Sequence, residues 1–526
     1  MNDEFSRSSC LFLFICVFFL SFTTIKGYGQ TLPVGLLENV EDAYRRQQLI
    51  SYDSSGVSYM IRPVGVSPKK EGKLVIYPLP VVWKTQLNSH HPFGMNDGLM
   101  IPAKGLQTQF SAGFFAKAGP LSIQLRPEFV YAQNSDYRQL YENGIGGLFA
   151  VVYASYSNSI DEPTRFGNSS YNKLDWGQSS IRLTFDPVSI GLSNENLWWG
   201  PGSRNSLLMS NNAPGFKHIT LNTSKPIKSA IGSFEAQIIG GRLENSGIAP
   251  YEAELFEEKP DDWRYISGLA VTYQPKWLKG LFLGLDRTFV VYNKDMGNGF
   301  SDYFPLFSSP VKEGVITPDD PNLEDDKKRD QYASAFMRYV FFESRAEIYF
   351  QYGRNDFPAN VRDAVGEPEH SRAYIAGMKK LIALPAKESL LEFAVETTHM
   401  EGSATEFLRE QPNWYKHRAM PAGYTHYGQV LGAGIGSEAN LQSFELSWIK
   451  GVKRIGMRVE HLSQNADLAK YGERWTDLSF AGRFDWNWKQ FMLNSQLVYI
   501  RSNNYQYIDQ QANNLHLQIG ILYDFK

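Results

Sequence analysis

The sequence predicts an all-β protein, a transmembrane antiparallel β-barrel of about 18 strands with long extracellular loops and a short N-terminal helical segment. Three observations support this fold class. Polar and apolar residues alternate over most of the chain after residue 74. The connections between these stretches are alternately tight links and long polar loops. The last alternating stretch ends in aromatic residues close to the C-terminus.

The first 29 residues differ from the rest and predict a secretory signal peptide. The apolar run CLFLFICVFFL at 10–20 is too short to cross a bilayer as a helix, and small residues precede a cleavage point near Gly29. The only cysteines, Cys10 and Cys16, lie in this run. We therefore expect an exported mature protein without thiols or disulfides, which must enter a membrane as a barrel if it enters one at all.

The next segment, residues 30–70, is predicted to be periplasmic and helical. Residues 37–50 are rich in helix-forming side chains and contain neither Gly nor Pro. Residues 71–526 are assigned to the outer-membrane barrel. Whether polysaccharide-export machinery docks on the helix at 37–50 stays open.

Period-two alternation is clearest near the C-terminal end of the chain. Between residues 477 and 488 the apolar side chains are Leu478, Phe480, Phe484, Trp486 and Trp488, and the polar ones are Asp477, Ser479, Arg483, Asp485 and Asn487. The stretches 347–352 and 121–129 show the same pattern. A soluble β-sandwich alternates as well, so the connections between strands must decide between the two folds.

The connections fall into two classes. Tight links are predicted near 116–120, 186–187, 225–230, 275–279, 342–345, 384–388, 450–452 and 489–490. Long polar loops are predicted near 87–104, 132–178, 198–218, 241–265, 289–332, 354–372, 399–424, 462–474 and 502–512. Short turns on one side and long loops on the other are typical of outer-membrane barrels, whose short turns face the periplasm. Eight hairpins with a first strand at 74–86 and a last at 513–525 give the strand count.

The final strand carries one apolar row. Its members are Leu515, Leu517, Ile519, Ile521, Tyr523 and Phe525, opposite His516, Gln518, Gly520 and Asp524. An amphipathic C-terminal strand that ends in an aromatic residue fits what barrel-insertion machinery recognises, although Lys526 follows here. The alternative is an edge strand of a secreted sandwich.

Two adjacent tryptophans follow a strand that rises from the tight link at 186–187. Continued alternation places Trp198 toward lipid, as a residue of the interfacial aromatic girdle. The same alternation points Trp199 into the lumen, beneath a loop that the turn at 200–202 folds back over the barrel. Trp199 is then expected either to wedge that loop or to stack on a sugar.

The overall charge argues against one class of partner. The formal net charge is −3 and the mean hydropathy is −0.34. Because the chain shows no basic field, we do not expect nucleic acid to be a partner.

Five segments resemble the Wzi capsule-assembly family of outer-membrane proteins. They are GQSSIRLTFDPVSIGLSNENLWWGPGSRNSLLMSNNAPGF (177–216), IGSFEAQIIGGRLENS (231–246), EIYFQYGRNDF (347–357), EPEHSRAY (367–374) and YTHYGQVLGAGIG (424–436). The resemblance implies a barrel in the outer membrane of a Gram-negative cell that acts as a lectin and holds capsular or exopolysaccharide at the cell surface. It also implies extracellular loops that fold inward and a small helical element that closes the periplasmic side, to which residues 37–50 would contribute.

Sugar binding favours flat aromatic side chains next to groups that form bidentate hydrogen bonds. The candidate polysaccharide-binding residues are Trp199, Arg204, Asn211, Asn212, Arg242, His370, Arg372, Trp414 and His426. Hydrogen bonding between loops inside a plugged barrel uses the same residue types and is the structural alternative. The expected partners are extracellular polysaccharide and outer-membrane lipid.

Two acidic segments raise the question of a catalytic or a metal site. Glu367 and Glu369 stand roughly 6–7 Å apart on an extended chain, within the range of an inverting glycosidase pair. Pairing with Arg372 or Arg354 is the expectation we prefer. The acidic run at 317–330 offers carboxylates for calcium but lacks EF-hand spacing, and no HExxH motif is present. We therefore expect no enzyme activity, metal or cofactor, and keep two alternative functions, a diffusion channel or porin and a surface glycan hydrolase.

Overall fold

The computed structural model describes residues 30–36, 38–51, 56–66, 69, 72–139, 156–248, 256–307, 328–355, 369–386, 388–403 and 413–525. The predicted signal peptide, Glu367 and most of the acidic run at 317–330 lie outside these residues. In the described part of the chain, no helix has the length and apolar character needed to cross a membrane.

The described residues form a closed barrel of 18 antiparallel strands. The strands are β1 Leu74–Asn88, β2 Gly105–Ala118, β3 Leu121–Leu125 with Glu128–Ala132, β4 Tyr171–Asp175 with Ser180–Phe185, β5 Val188–Ser193, β6 His218–Thr223 with Ile227–Lys228, β7 Gly232–Leu243, β8 Arg264–Pro275, β9 Leu281–Tyr292, β10 Asp330–Phe341, β11 Ala346–Arg354, β12 Arg372–Ala383, β13 Leu390–His399, β14 Asn440–Lys450, β15 Lys453–Ser463, β16 Thr476–Trp488, β17 Phe491–Asn503 and β18 Gln511–Tyr523. Strand β18 pairs with β1, with Leu517 opposite Leu87 and Tyr523 opposite Val81. The predicted fold class is confirmed.

Short turns and long loops alternate around the barrel as the sequence predicts. The short connections are 119–120, 186–187, 229–231, 276–280, 342–345, 384–389, 451–452 and 489–490. The long ones are 89–104, 133–170, 194–217, 244–263, 293–329, 355–371, 400–439, 464–475 and 504–510. By the rule for outer-membrane barrels, the short turns mark the periplasmic end.

Each strand presents one apolar face outward and one mostly polar face to the lumen. In β18, Leu515 and Ile519 are exposed on the outer surface, whereas His516 is buried in the lumen. The same division holds in β5, where Ile190 and Leu192 face outward. An apolar outer face is favourable only where lipid replaces water around the barrel.

The N-terminal segment lies inside the lumen. Its helix α1 spans Glu38–Ile50, which confirms the predicted helix, and the short strands Gln30–Leu32 and Val64–Val66 pair with each other beside it. α1 is rich in charged side chains, and these pair with charged groups of the barrel wall. Arg454 of β15 contacts Asp42 at 2.7 Å, and Arg45 contacts Glu347 of β11 at 2.8 Å.

An apolar cluster of loop residues occupies another part of the lumen. Its loop residues include Trp199, Leu207, Leu208, Met209, Trp414, Tyr415, Tyr424 and Val430. They pack on wall residues from the extracellular ends of the strands, including Ile239, Ile266, Val290, Tyr292 and Ile375. The loops 194–217 and 400–439 therefore fold inward and build an apolar core where a porin would have water.

The prediction that Trp198 faces lipid is wrong. Strand β5 ends at Ser193, and the chain then turns into the lumen, where Trp198 pairs with Arg62 and Trp199 with Ile61. Trp198 is 4% exposed, and the Arg62 guanidinium lies 4.4 Å from its ring centroid. The alternation of side chains between the two faces ends where the strand ends, so it could not predict the direction of Trp198.

Candidate functional site

The loop 194–217 begins with a buried carboxylate that fixes its direction. Glu195 accepts hydrogen bonds from Arg182 at 2.6 Å, from Ser193 at 3.0 Å and from Thr31 of the N-terminal segment. Burial by itself would raise the pKa of Glu195, but Arg182 and these hydrogen bonds outweigh it and hold the pKa below its usual value. The first residues of the loop are thus locked to both the wall and the N-terminal segment.

Trp199 is fully buried where this loop meets the wall. Its indole Nε1 donates to Gln237 Oε1 at 2.9 Å, and its backbone N–H donates to the Met209 carbonyl at 3.1 Å. A Cβ added at Gly268 would lie 2.7 Å from the Trp199 ring, so this glycine makes room for the indole. Of the two roles considered for Trp199, the geometry favours the wedge beneath the loop.

Arg204 is held in the lumen by two carboxylates of the wall. Glu396 accepts the backbone N–H groups of Ser203 at 2.6 Å and Arg204 at 3.0 Å, and Glu460 contacts the Arg204 guanidinium at 2.8 Å. The Arg204 side chain is 16% exposed. The backbone at 203–204 is thus attached to strand β13, and the Arg204 side chain is attached to strand β15.

Asn211 and Asn212 join three loops to one another. Asn211 Nδ2 donates to the Asn96 carbonyl at 2.6 Å, and Asn212 Nδ2 donates to the Val430 carbonyl at 3.0 Å. The Gly98 N–H donates to the Asn211 carbonyl at 2.8 Å. Both side-chain amides donate to backbone carbonyls of other loops, which helps to satisfy the polar backbone that inward-folded loops bury.

Trp414 lies inside the protein in this conformation. Its Nε1 donates to the Ser371 carbonyl at 3.1 Å, and its ring packs on Tyr332. His370 is also buried, and its carbonyl accepts the Arg354 Nε at 3.1 Å.

His426 is another buried candidate, and it acts as a hydrogen-bond acceptor. Its Nδ1 accepts the N–H of Glu244 at 3.0 Å. Burial, with Lys173 and Arg264 nearby, holds the pKa of His426 well below its usual value, which leaves the ring neutral.

Arg242 and Arg372 are the candidates closest to the outer surface. The half-exposed Arg242 contacts Glu244 at 2.5 Å and lies 4.9 Å from the Trp263 ring centroid. Arg372 contacts Glu369 at 3.5 Å and lies 5.7 Å from the Tyr374 ring centroid. Each places a guanidinium, an aromatic ring and a carboxylate together at the extracellular rim.

The aromatic partners of these arginines escaped sequence reasoning. Trp263 is 21 residues from Arg242 in the chain, but β7 pairs with β8 so that Arg242 lies opposite Tyr265, two residues beyond Trp263. The register of the β7–β8 pairing, had it been predicted, would have placed Trp263 near Arg242. A third cluster was also missed, in which exposed Arg474 contacts Glu401 at 2.5 Å.

A polar cavity of about 110 Å³ remains between α1 and the inward loops. Its lining includes Glu38, Glu41, Arg62, Asp97 and Trp198. Burial raises the pKa of Asp97 to about 6, although Lys84 and Gln86 oppose the shift. The cavity is small beside the lumen of a diffusion channel.

Metal ligation finds no support in the part of the chain that the structure describes, where no three His, Cys, Asp or Glu residues are grouped to hold an ion. Of the proposed glycosidase pair only Glu369 is described, and it contacts Arg372, one of the two arginines expected from the sequence.

These features define a class of protein, a transmembrane β-barrel with a lumen occupied by its own loops and N-terminal segment. A family model described as capsule assembly protein Wzi matches residues 96–517. The chain belongs to this family.

One solved structure supports the fold. The Escherichia coli Wzi structure, described as an outer membrane carbohydrate-binding β-barrel involved in group 1 capsule assembly, covers 95% of this chain and 100% of its own. The two are 12% identical, with a TM-score of 0.61. OccAB2 of Acinetobacter baumannii covers 85% of this chain and 98% of its own at 12% identity, with a TM-score of 0.40. A search of curated proteins finds no match.

Proposed function

We propose that this protein is a non-enzymatic outer-membrane lectin that binds an extracellular capsular or exopolysaccharide and aids its attachment or assembly at the cell surface. Membership of the Wzi family supports this role. The observation that carries it is the filled lumen, because an apolar core built from Trp199, Trp414 and Tyr424 obstructs passage of solutes. The extracellular face is then the surface on which the protein works.

Within that surface we propose Arg242 and Arg372 as direct contacts to polysaccharide. Each guanidinium lies beside an aromatic ring and a carboxylate, a set that offers a stacking face together with donors and acceptors for sugar hydroxyls. Trp199, Arg204, Asn211, Asn212, His370, Trp414 and His426 are proposed to act by holding the loops that present this surface.

The test is retention of purified protein on immobilised acidic and neutral polysaccharides. Arg242→Gln and Arg372→Gln should each weaken binding about tenfold or more, since a hydrogen bond to a charged group contributes about 1.5–3 kcal/mol. Arg501→Gln is the control, because Arg501 is also an arginine of an outward-facing strand row but hydrogen-bonds Gln511 at 3.4 Å, on strands β17 and β18. Failure to bind any polysaccharide, with the surface glycan unchanged in a deletion strain, would overturn the proposal.

The two alternatives predict different results with the same protein. Planar-bilayer recordings should show no steady large conductance, whereas a porin would give one. Incubation with polysaccharide should release no shorter products. Turnover that is lost in Glu367→Gln would establish the hydrolase instead.

A further inference from the structure

One extracellular segment folds outward rather than inward. Residues 300–307, here called the collar, comprise a short helix, Phe300–Tyr303, and a turn, Pro305–Phe307. The turn contacts strands β8 and β9. Two hydrogen bonds hold the collar there: Tyr265 Oη donates to the Tyr303 carbonyl at 3.1 Å, and Arg287 Nη1 donates to the Leu306 carbonyl at 3.5 Å.

The collar covers the outer, lipid-side face of β9. Leu283 and Leu285 are exposed on that face, and the same alternation continues through Arg287 to Phe289 and Val291. Phe289 and Val291 are each 4% exposed although they point away from the lumen. The residues of opposite parity face inward, as the buried contact between Thr288 and Tyr424 of the loop core shows. The collar therefore lies outside the barrel wall, at the extracellular end of the apolar belt.

Large aromatic side chains project from the collar. Phe300 is 78% exposed and Tyr303 is 38% exposed. Tyr303 is braced by an edge-on contact with Tyr265, whose ring centroid lies 5.6 Å away. A Cβ at Gly240 would lie 2.4 Å from the Tyr265 hydroxyl, so this glycine leaves the space that the Tyr265 side chain occupies. Exposed aromatic residues at this depth are favourable in the interfacial region of a bilayer, where the ring meets acyl chains and headgroups.

Two arginines lie beneath the collar on the same outer face. The guanidinium carbons of Arg287 and Arg329 lie 4.5 Å and 5.6 Å from the Phe289 ring centroid. Gln331 accepts a hydrogen bond from Arg287 at 3.2 Å and so orients its side chain. Guanidinium groups bind phosphate through paired N–H donors, and both of these guanidiniums lie within 6 Å of the same ring centroid.

We propose that the collar is a lipid-binding site in which Phe300 and Tyr303 insert into the interface of the extracellular leaflet, and Arg287 and Arg329 bind the phosphate of a lipid headgroup. The occupant is a membrane lipid because the site continues the lipid-facing surface of β9 without interruption. The positive charge of the arginine pair complements a headgroup phosphate. The site uses other residues than the proposed polysaccharide contacts, although Arg242 lies opposite Tyr265, the residue that braces the collar.

Insertion of the collar is tested by site-specific labelling, for which the chain is well suited because its only cysteines are Cys10 and Cys16. In a Cys10→Ser, Cys16→Ser background, Phe300→Cys carries a fluorescent label in proteoliposomes with lipids brominated near the headgroup. We expect strong quenching, as for Leu285→Cys, and little quenching for Lys470→Cys in the exposed loop 464–475. A Phe300 label that behaves like the Lys470 label would overturn insertion.

Headgroup binding is tested with lipid A in nanodiscs as the probe, by native mass spectrometry. The double variant Arg287→Gln, Arg329→Gln should retain several-fold less lipid A than the unaltered protein. The matched control is Arg354→Gln, Arg501→Gln, two other outward arginines, which should retain lipid A normally. Equal retention by all three proteins, or equal loss in both double variants, would overturn the phosphate site. Heat-modifiable mobility on gels confirms that each variant is a folded barrel.

Discussion

At the scale of single residues, the adjacent tryptophans 198 and 199 have separate partners within one lumen. Trp199 packs in the apolar loop core and bonds Gln237, whereas Trp198 stacks against Arg62 of the N-terminal segment. Neither reaches the lipid. The two rings hold the same loop, one to the wall and the other to the segment that enters from the periplasmic side.

Trp199→Ala is expected to destabilise the protein by about 3–5 kcal/mol, because it opens a large cavity and leaves the Gln237 oxygen without its donor. Urea unfolding in detergent measures the loss, and proteolysis within the loop 194–217 measures its loosening. Trp277→Ala is the control, since Trp277 is 72% exposed in a short turn. Equal unfolding midpoints for the two variants would contradict the wedge role.

Glu438 should make the packing of the loop 400–439 depend on pH. Burial raises the pKa of Glu438 to about 7, and nearby Asp467 adds to the shift, while the Gly402 N–H and Lys416 oppose it. A carboxyl whose folded pKa exceeds its unfolded value of about 4.3 stabilises the fold below that value and loses this contribution as pH rises to 7.

Glu438→Gln should therefore stabilise the protein at pH 8 by on the order of 1–3 kcal/mol and have little effect at pH 4. Thermal unfolding across this range gives the measurement. The difference between the variant and the unaltered protein isolates Glu438 from other titrating groups. A difference that does not change with pH would show that Glu438 is not the cause.

At the scale of elements, α1 is a polar helix that a charged lumen stabilises. Burial by itself would raise the pKa of Asp42, but Lys379, Arg454 and Arg46 hold it well below its usual range. Elsewhere on α1, Arg45 forms an ion pair with Glu347 of the wall, and Glu347 forms a second ion pair with Arg338. Arg338 also donates a hydrogen bond to Gln48 of α1 at 2.7 Å. Few apolar contacts fix this helix, so the ion pairs determine its position.

Glu347→Gln should loosen α1, because it leaves the buried guanidiniums of Arg45 and Arg338 without their shared carboxylate. Breaking a buried ion pair on one side costs about 3–5 kcal/mol. Trypsin cleavage at the α1 arginines of the purified barrel is the measurement. Asp524→Asn, which removes the exposed pair with Lys69, should leave the cleavage rate unchanged. Resistance of α1 to trypsin in both variants would contradict this role.

At the scale of the whole molecule, the N-terminal segment and the apolar loop core occupy the same lumen. The N-terminal segment is held by ion pairs, and the loop core is held by apolar packing. They meet where Ile61 and Arg62 pair with Trp198 and Trp199, and where the Gly200 N–H donates to the Met60 carbonyl at 2.8 Å. A change on the periplasmic side can therefore reach the extracellular loops by direct contact.

Removal of residues 30–66 should raise ion conductance in planar bilayers above that of the intact protein. It should also speed cleavage of the loop 194–217 by protease added to the extracellular side, because the loop loses its partners in the lumen. Removal of the C-terminal Lys526 alone serves as the matched truncation. A deletion variant that stays closed and protected would show that the loop core suffices without the N-terminal segment.

The sequence by itself determined the barrel, its strand number and which row of β18 faces outward. These follow from period-two alternation and from the contrast between short turns and long loops, both of which are local properties of the chain. The helix predicted at 37–50 likewise rests on a local property, the composition of that segment. The family could also be identified, because its motifs are contiguous segments.

Only the tertiary structure decided what the loops do. Trp198 was misassigned because strand alternation stops at Ser193, after which partners distant in the chain, such as Arg62, set the direction of each side chain. Trp199 and Trp414 share the composition of a sugar site, yet both are buried within the loop core. Arg242 and Trp263 come together only through pairing of β7 with β8. Composition records which groups are available, whereas long-range packing determines which of them solvent or a polysaccharide can reach.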